Sequence, residues 1–153
     1  MYLTEISEIN YKSSNFPILF EDNRTDRMFG IISNDIYSFK LGWQSTIIKP
    51  IVKEVSKEVY AIGIDQNFII IDLNSLGIRL KLELTYFFYN VVVYNNFIIV
   101  ITELEILIIS ELTYKVVKEI SLPEVYTKME ISDPNIKVKC IDGSEVDFEL
   151  NKI

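Results

Sequence analysis

Tyr60–Leu84 reads YAIGIDQNFIIIDLNSLGIRLKLEL, and Ile98–Leu122 reads IIVITELEILIISELTYKVVKEISL. Shifted by 38 residues without a gap, the first lays Ile62 on Val100, Phe68 on Ile106, Ile70 on Ile108, Ile78 on Val116, Leu82 on Ile120 and Leu84 on Leu122. The same shift carries Ile98, Val100 and Thr102 onto Ile136, Val138 and Cys140 in NIKVKCIDGSEVDFEL, residues 135–150. The recurring unit is made of short apolar and alternating runs bounded by Asn, Asp, Ser and Gly, which is strand chemistry.

Within the first unit, Tyr60–Ile64 and Asn67–Asp72 form a hairpin about Asp65-Gln66. Leu73–Leu76 turns the chain, and Gly77 is the residue expected to supply a positive φ there. Ile78–Leu84 sets Arg79, Lys81 and Glu83 on one face and apolar residues on the other, an outer strand half in water. The second unit repeats this as Ile98–Thr102, Glu105–Ser110 and Val116–Leu122. Between them lies YFFYNVVVY, residues 86–94, apolar on both faces and expected to be an inner strand buried on two sides. A third unit follows as Val125–Ser132, Ile136–Ile141 and Glu145–Leu150, its last hairpin marked by Asp142-Gly143. Residues 1–58 are less regular. Met28–Ser33, Ile36–Leu41 and Thr46–Ile51 read as three strands of a divergent unit. Pro50–Val59 carries both helical and alternating spacing, with strand preferred; Leu3–Tyr11 fits a short helix or a strand, and an extended piece is expected around Pro17–Phe20.

A fixed period of roughly 35–45 residues built from short strands marks radial β architectures. The expected fold is all-β: a partial, open half β-propeller of about three to four antiparallel blades. Four such units would fill nearly the whole chain, which the irregular start does not permit. One domain is expected over 1–153, with a divergent blade in 1–58 and repeated blades in 59–153.

The absence of histidine removes His-based acid–base catalysis, the Ser–His and Cys–His nucleophile pairs and the commonest metal ligand. Cys140, the single cysteine, falls among apolar strand residues and reads as a buried structural thiol. No phosphate-binding glycine loop or calcium loop appears. The carboxylate pairs Glu103/Glu105 and Asp147/Glu149 stand at i, i+2 and face water on a strand, not a cleft. The four aromatics Tyr86–Tyr89 lack a basic cluster beside them and read as core packing. No catalytic residue, metal or cofactor is expected, and the chain is not expected to be an enzyme. Glu5 and Glu8 occupy the stretch where a leader needs positive charge, and the apolar runs are too short to span a bilayer. With a lone cysteine, a reducing cytoplasmic location is expected.

The net charge of −7 is uneven, since residues 103–149 hold 11 Asp/Glu against 5 Lys. Such a chain repels nucleic acid and anionic lipid and attracts basic proteins. The turns between second and third strands each carry an acid: Asp35, Asp65, Glu103 with Glu105, and Asp142 with Glu145. Hairpin turns favour Asp in any case, whereas Glu103, Glu105 and Glu145 have no such preference. If those turns emerge on one side, these six residues form an acidic partner-binding face, with Trp43, Tyr60 and Tyr126 as candidate aromatic anchors.

The units 60–84, 98–122 and 136–150, and ELEILIISELTYKVVKEISLPE (residues 103–124) in particular, resemble β-propeller blade repeats. In overall character, a small, acidic, His-free chain of truncated-propeller type also resembles the immunity proteins of bacterial contact-dependent growth inhibition and related polymorphic toxin systems. That resemblance implies a cytosolic inhibitor binding a basic toxin nuclease domain, an RNase first of all, one to one and without turnover. A self-associating scaffold, with two half-propellers closing as a homodimer, is the competing reading.

Overall fold

The computed structural model describes residues 1–22 and 27–152. Among the described residues fifteen strands form four sheets, and the chain divides into two compact units, Met1–Thr85 and Tyr86–Ile153. The fold is all-β, a partial β-propeller of four blade-like sheets.

In the first unit one sheet contains β1 (Tyr2–Ile6), β2 (Ile18–Glu21), β3 (Met28–Ser33) and β4 (Ser38–Trp43) in the order β1-β3-β4-β2. The other runs in chain order through β5 (Ile51–Ser56), β6 (Val59–Ile64), β7 (Asn67–Asp72) and β8 (Gly77–Glu83). Their shared core holds Leu19, Phe20, Ile32, Leu41, Trp43, Tyr60, Ile62, Ile64, Ile69 and Ile71. Trp43 is 1% exposed. Room for its ring comes from Gly30, where a Cβ would stand 2.8 Å from Leu3 Cδ1 and 3.1 Å from Trp43 Cζ3.

Here the sheet departs from the antiparallel expectation, because β2 pairs parallel with β4. A parallel neighbour needs a crossover, and α1 (Glu8–Ser13) supplies it by carrying the chain from β1 to the far edge of the sheet. Both alternatives for Leu3–Tyr11 are therefore used in succession, strand and then helix. Ser7 caps α1 by accepting from Asn10 N at 3.2 Å, and buried Lys40 fastens its end, donating to Tyr11 O at 3.0 Å and Ser14 O at 2.7 Å. Thr46–Ile51 is not a strand. Asp65 Oδ2 accepts from Gln44 N and Ser45 N, and Ser45 Oγ from Ile47 N and Ile48 N, so side chains take the N–H groups a strand would pair. The strand preference for the following stretch holds, as β5.

In the second unit β9 (Phe88–Tyr94), β10 (Phe97–Thr102), β11 (Glu105–Ser110) and β12 (Val116–Ser121) form an antiparallel meander. After it come β13 (Tyr126–Ser132), β14 (Asn135–Cys140) and β15 (Glu145–Glu149), closed by a 3₁₀ turn over Leu150–Lys152. Ile99, Ile101, Ile106, Ile108, Leu122, Ile136, Val138, buried Cys140 and Phe148 form the core. The repeat survives in three dimensions: β6, β10 and β14 begin at 59, 97 and 135, successive steps of 38. Ile62, Val100 and Val138, equivalent under that shift, are all fully buried.

Two expectations need correction. The left-handed residue of the corner after β7 is Leu76 (φ 53°), not Gly77, and Tyr114 repeats it at φ 53° in the corner after β11. A bulky residue pays a steric cost there that glycine avoids. Leu76→Gly is therefore expected to raise the first unit's stability by about 0.5–1 kcal/mol, the strain relief exceeding glycine's added chain entropy; thermal melting would reveal an unchanged or lower Tm if the corner were unstrained. Secondly, β9 is not buried on two sides, for Tyr89 and Asn90 are exposed while Phe88 and Val91 are buried. It has a sheet neighbour on one edge only, β10.

Buried Asp72 receives Arg79 Nε at 2.9 Å and Arg79 Nη2 at 2.5 Å, and also Asn74 N at 2.9 Å. Arg79 first, and then the turn's donors against the opposing effect of burial, hold its carboxyl at about 2. A depressed carboxylate stabilises the fold above its unfolded value near 4 and ceases to as pH falls through the folded value. Acid titration should thus show a loss of stability between about pH 4 and pH 2 that Asp72→Asn lacks; an identical acid limb in both proteins would contradict the pairing. Among the described residues no helix is long and apolar enough to cross a membrane.

Candidate functional site

At one end of the second unit, three turns are stitched together through backbone atoms. Glu103, which follows β10, donates its N–H to Phe87 O and accepts from Tyr126 N, both at 2.9 Å. Ile141, which follows β14, donates to Val125 O at 2.8 Å. Thr102, buried beneath, donates Oγ1 to Glu105 O at 2.8 Å and sets the Glu103-Leu104 reversal. This lattice holds the backbones of Phe87, Glu103, Val125, Tyr126 and Ile141 together, with Tyr89, Glu105 and Asp142 one or two residues along the chain. Phe87 is 49% exposed and Ile141 69%. Tyr89 meets half-buried Tyr126 edge to face, ring centroids 6.2 Å apart and planes at 64°.

The carboxylates here differ in their circumstances. Burial, and then the neighbouring Glu119, push the Glu105 carboxyl upward. Asp142 is held below the usual range by Ser144, whose Oγ lies 2.6 Å and N 2.9 Å from Asp142 Oδ1. Gly143 takes φ 86° between them, as Asp-Gly predicts. Glu145 is already engaged, by Lys137 at 2.7 Å and Lys139 at 3.1 Å, and both hold its carboxyl down. Among the described residues no lysine or arginine forms an ion pair with Glu103, Glu105 or Asp142. The result is an aromatic and aliphatic patch with carboxylates beside it, of which Glu145 is paired with Lys137 and Lys139.

The six acids singled out from the turns thus do not behave alike. Glu103, Glu105, Asp142 and Glu145 are brought to one end of the second unit. In the first unit Asp35 and Asp65 lie at opposite ends. A cleft of about 500 Å³ lined by Asn34, Asp35, Tyr37, Glu58, Tyr60, Leu73 and Asn74 sets the Asp35 turn beside the corners entering β6 and leaving β7. Asp65 is on the β6–β7 turn, at the other end of the same strands, and is mostly buried under the Gln44 and Ser45 amides. Of the three candidate anchors, Trp43 and Tyr60 are core residues and Tyr126 alone reaches the surface. Phe87, Tyr89 and Ile141 escape a reading that assigns the aromatic run to the core. Strand alternation contains the missing signal: Phe88 turns in, so Phe87 and Tyr89 turn out. Among the described residues no three His, Cys, Asp or Glu side chains converge as a metal site.

No protein-family model matches the chain, and no curated protein does. Solved structures share its fold. Sqt1 of Saccharomyces cerevisiae superposes with a TM-score of 0.54 at 13% identity, over 81% of this chain and 40% of that one. Apo AztD from Citrobacter koseri gives 0.53 at 13%, over 82% and 39%. The computationally designed protein Ika4 gives 0.55 at 9%, over 90% and 92%. The chain spans only 33% of Kluyveromyces lactis Hsv2 and less than half of the two natural proteins above. These likenesses establish a β-propeller type of fold.

Proposed function

We propose that this chain is a protein-binding module that captures a basic partner on the Phe87–Tyr89–Tyr126–Ile141 patch, and specifically an immunity protein that blocks a cognate toxin nuclease domain one to one. The observation that carries it is the convergence at one end of the second unit of exposed aromatic and aliphatic side chains with Glu103, Glu105 and Asp142, which have no ion-pair partner among the described residues. Aromatic anchors give affinity on desolvation, and the uncompensated carboxylates steer a positively charged surface toward them. A nuclease site is basic because it holds phosphate, and an acidic surface occupies it as phosphate does. Inhibition then needs no chemistry from the immunity protein, in keeping with a chain without histidine.

The test is co-expression with any toxin domain that the neighbouring gene proves to encode, followed by isothermal titration of the purified pair. Protection of the cells and a one-to-one complex that weakens as salt rises are expected. Unprotected cells together with no measurable complex would remove the immunity reading.

A further inference from the structure

We infer that the patch is built to receive arginine side chains in preference to lysine, so that the partner's contacting segment is arginine-bearing; this rests on the docking role proposed above. Tyr89 and Tyr126 meet edge to face, and Tyr89 keeps 38% of its surface exposed, which leaves ring surface for a further contact. A guanidinium lies flat on such a face, is weakly hydrated, and tolerates the neighbouring apolar Phe87 and Ile141, where an ammonium would give up strongly held water. Its planar fork can simultaneously bond a carboxylate through two N–H groups, which a point-like ammonium cannot. Glu103 and Glu105 offer that carboxylate, and the lysines nearest in sequence to Asp142, Lys137 and Lys139, are engaged by Glu145.

Within the protein both cations sit on rings: Lys40 Nζ, 4.7 Å from the Tyr11 ring centroid, donates to carbonyl oxygens, whereas the ring paired with a carboxylate holds an arginine. Arg27 stands over the Phe29 ring, 5.1 Å from its centroid, while its Nη1 binds Glu21 Oε1 at 2.7 Å. An aromatic face beside a carboxylate is thus already an arginine seat in the first unit, and the second unit carries exposed aromatic side chains and carboxylates at one end with no arginine of its own in residues 86–153.

The experiment measures fluorescence anisotropy of labelled hexa-arginine and hexa-lysine peptides with the full chain at physiological salt. The arginine peptide is expected to bind about fivefold tighter or better. Tyr89→Leu should abolish that preference, bringing the two peptides to equal affinity, and Tyr89→Phe should keep it. Equal binding of the two peptides would overturn the arginine preference and leave capture of a basic partner standing. Failure of both peptides to bind would overturn both readings.

Discussion

Trp43→Ala is expected to lower the stability of the 1–85 unit by about 3–5 kcal/mol while leaving binding by the second unit unchanged. The indole is 1% exposed and fills space opened by Gly30 against Leu3, so its removal leaves a cavity that the two sheets can only partly close. The penalty includes lost burial and that cavity, and it is large against the 5–15 kcal/mol that holds a typical domain together. Trp43→Phe should cost less, because Trp43 Nε1 has no hydrogen-bond partner to lose. Denaturant unfolding followed by circular dichroism measures both. Trp43→Ala with near-normal stability but lost binding would mean that this residue is a surface anchor after all.

The second large effect is on binding. Tyr126→Ala should weaken the complex with a basic partner by about 2 kcal/mol or more, roughly a thirtyfold rise in Kd, chiefly through faster dissociation. The pair Glu103→Gln and Glu105→Gln preserves shape and removes charge. It should slow association about tenfold and flatten its dependence on salt, with a smaller effect on dissociation. Surface plasmon resonance separates the two rates. Glu145→Gln is the internal control, since that carboxylate is occupied by Lys137 and Lys139. If it slowed association as much as the Glu103/Glu105 pair, bulk charge alone would be responsible.

What the sequence reveals is governed by what repeats. Strand type and spacing from Val59 onward are legible because burial demands the same apolar residues at 62, 100 and 138, and a slip of one residue would turn every side chain to the wrong face. The N-terminal sheet is harder to read, because its β2–β4 pairing depends on a crossover through α1 and on the Lys40 tether, neither of which leaves a periodic trace. The corner at Leu76 misleads for a related reason: local preference points to the adjacent glycine, whereas Asp72 fixes the turn by accepting from Asn74 N and Ser75 N, and the left-handed residue falls one position earlier. At the site, the acids of the second unit are grouped because equivalent turns of neighbouring blade-like sheets are bonded together through Glu103, Tyr126, Val125 and Ile141. Asp35 and Asp65 are not grouped, since β3 and β6 deliver their turns to opposite ends.

Hydrogen exchange of the full chain, alone and saturated with a basic protein that it binds, decides whether this end of the second unit is the docking surface. New protection is expected to be confined to amides around 87–89, 103–105, 124–126 and 141–142, with the Asp35 and Asp65 turns unchanged. Protection centred on the first unit, with those four segments exchanging as in the free protein, would contradict that placement.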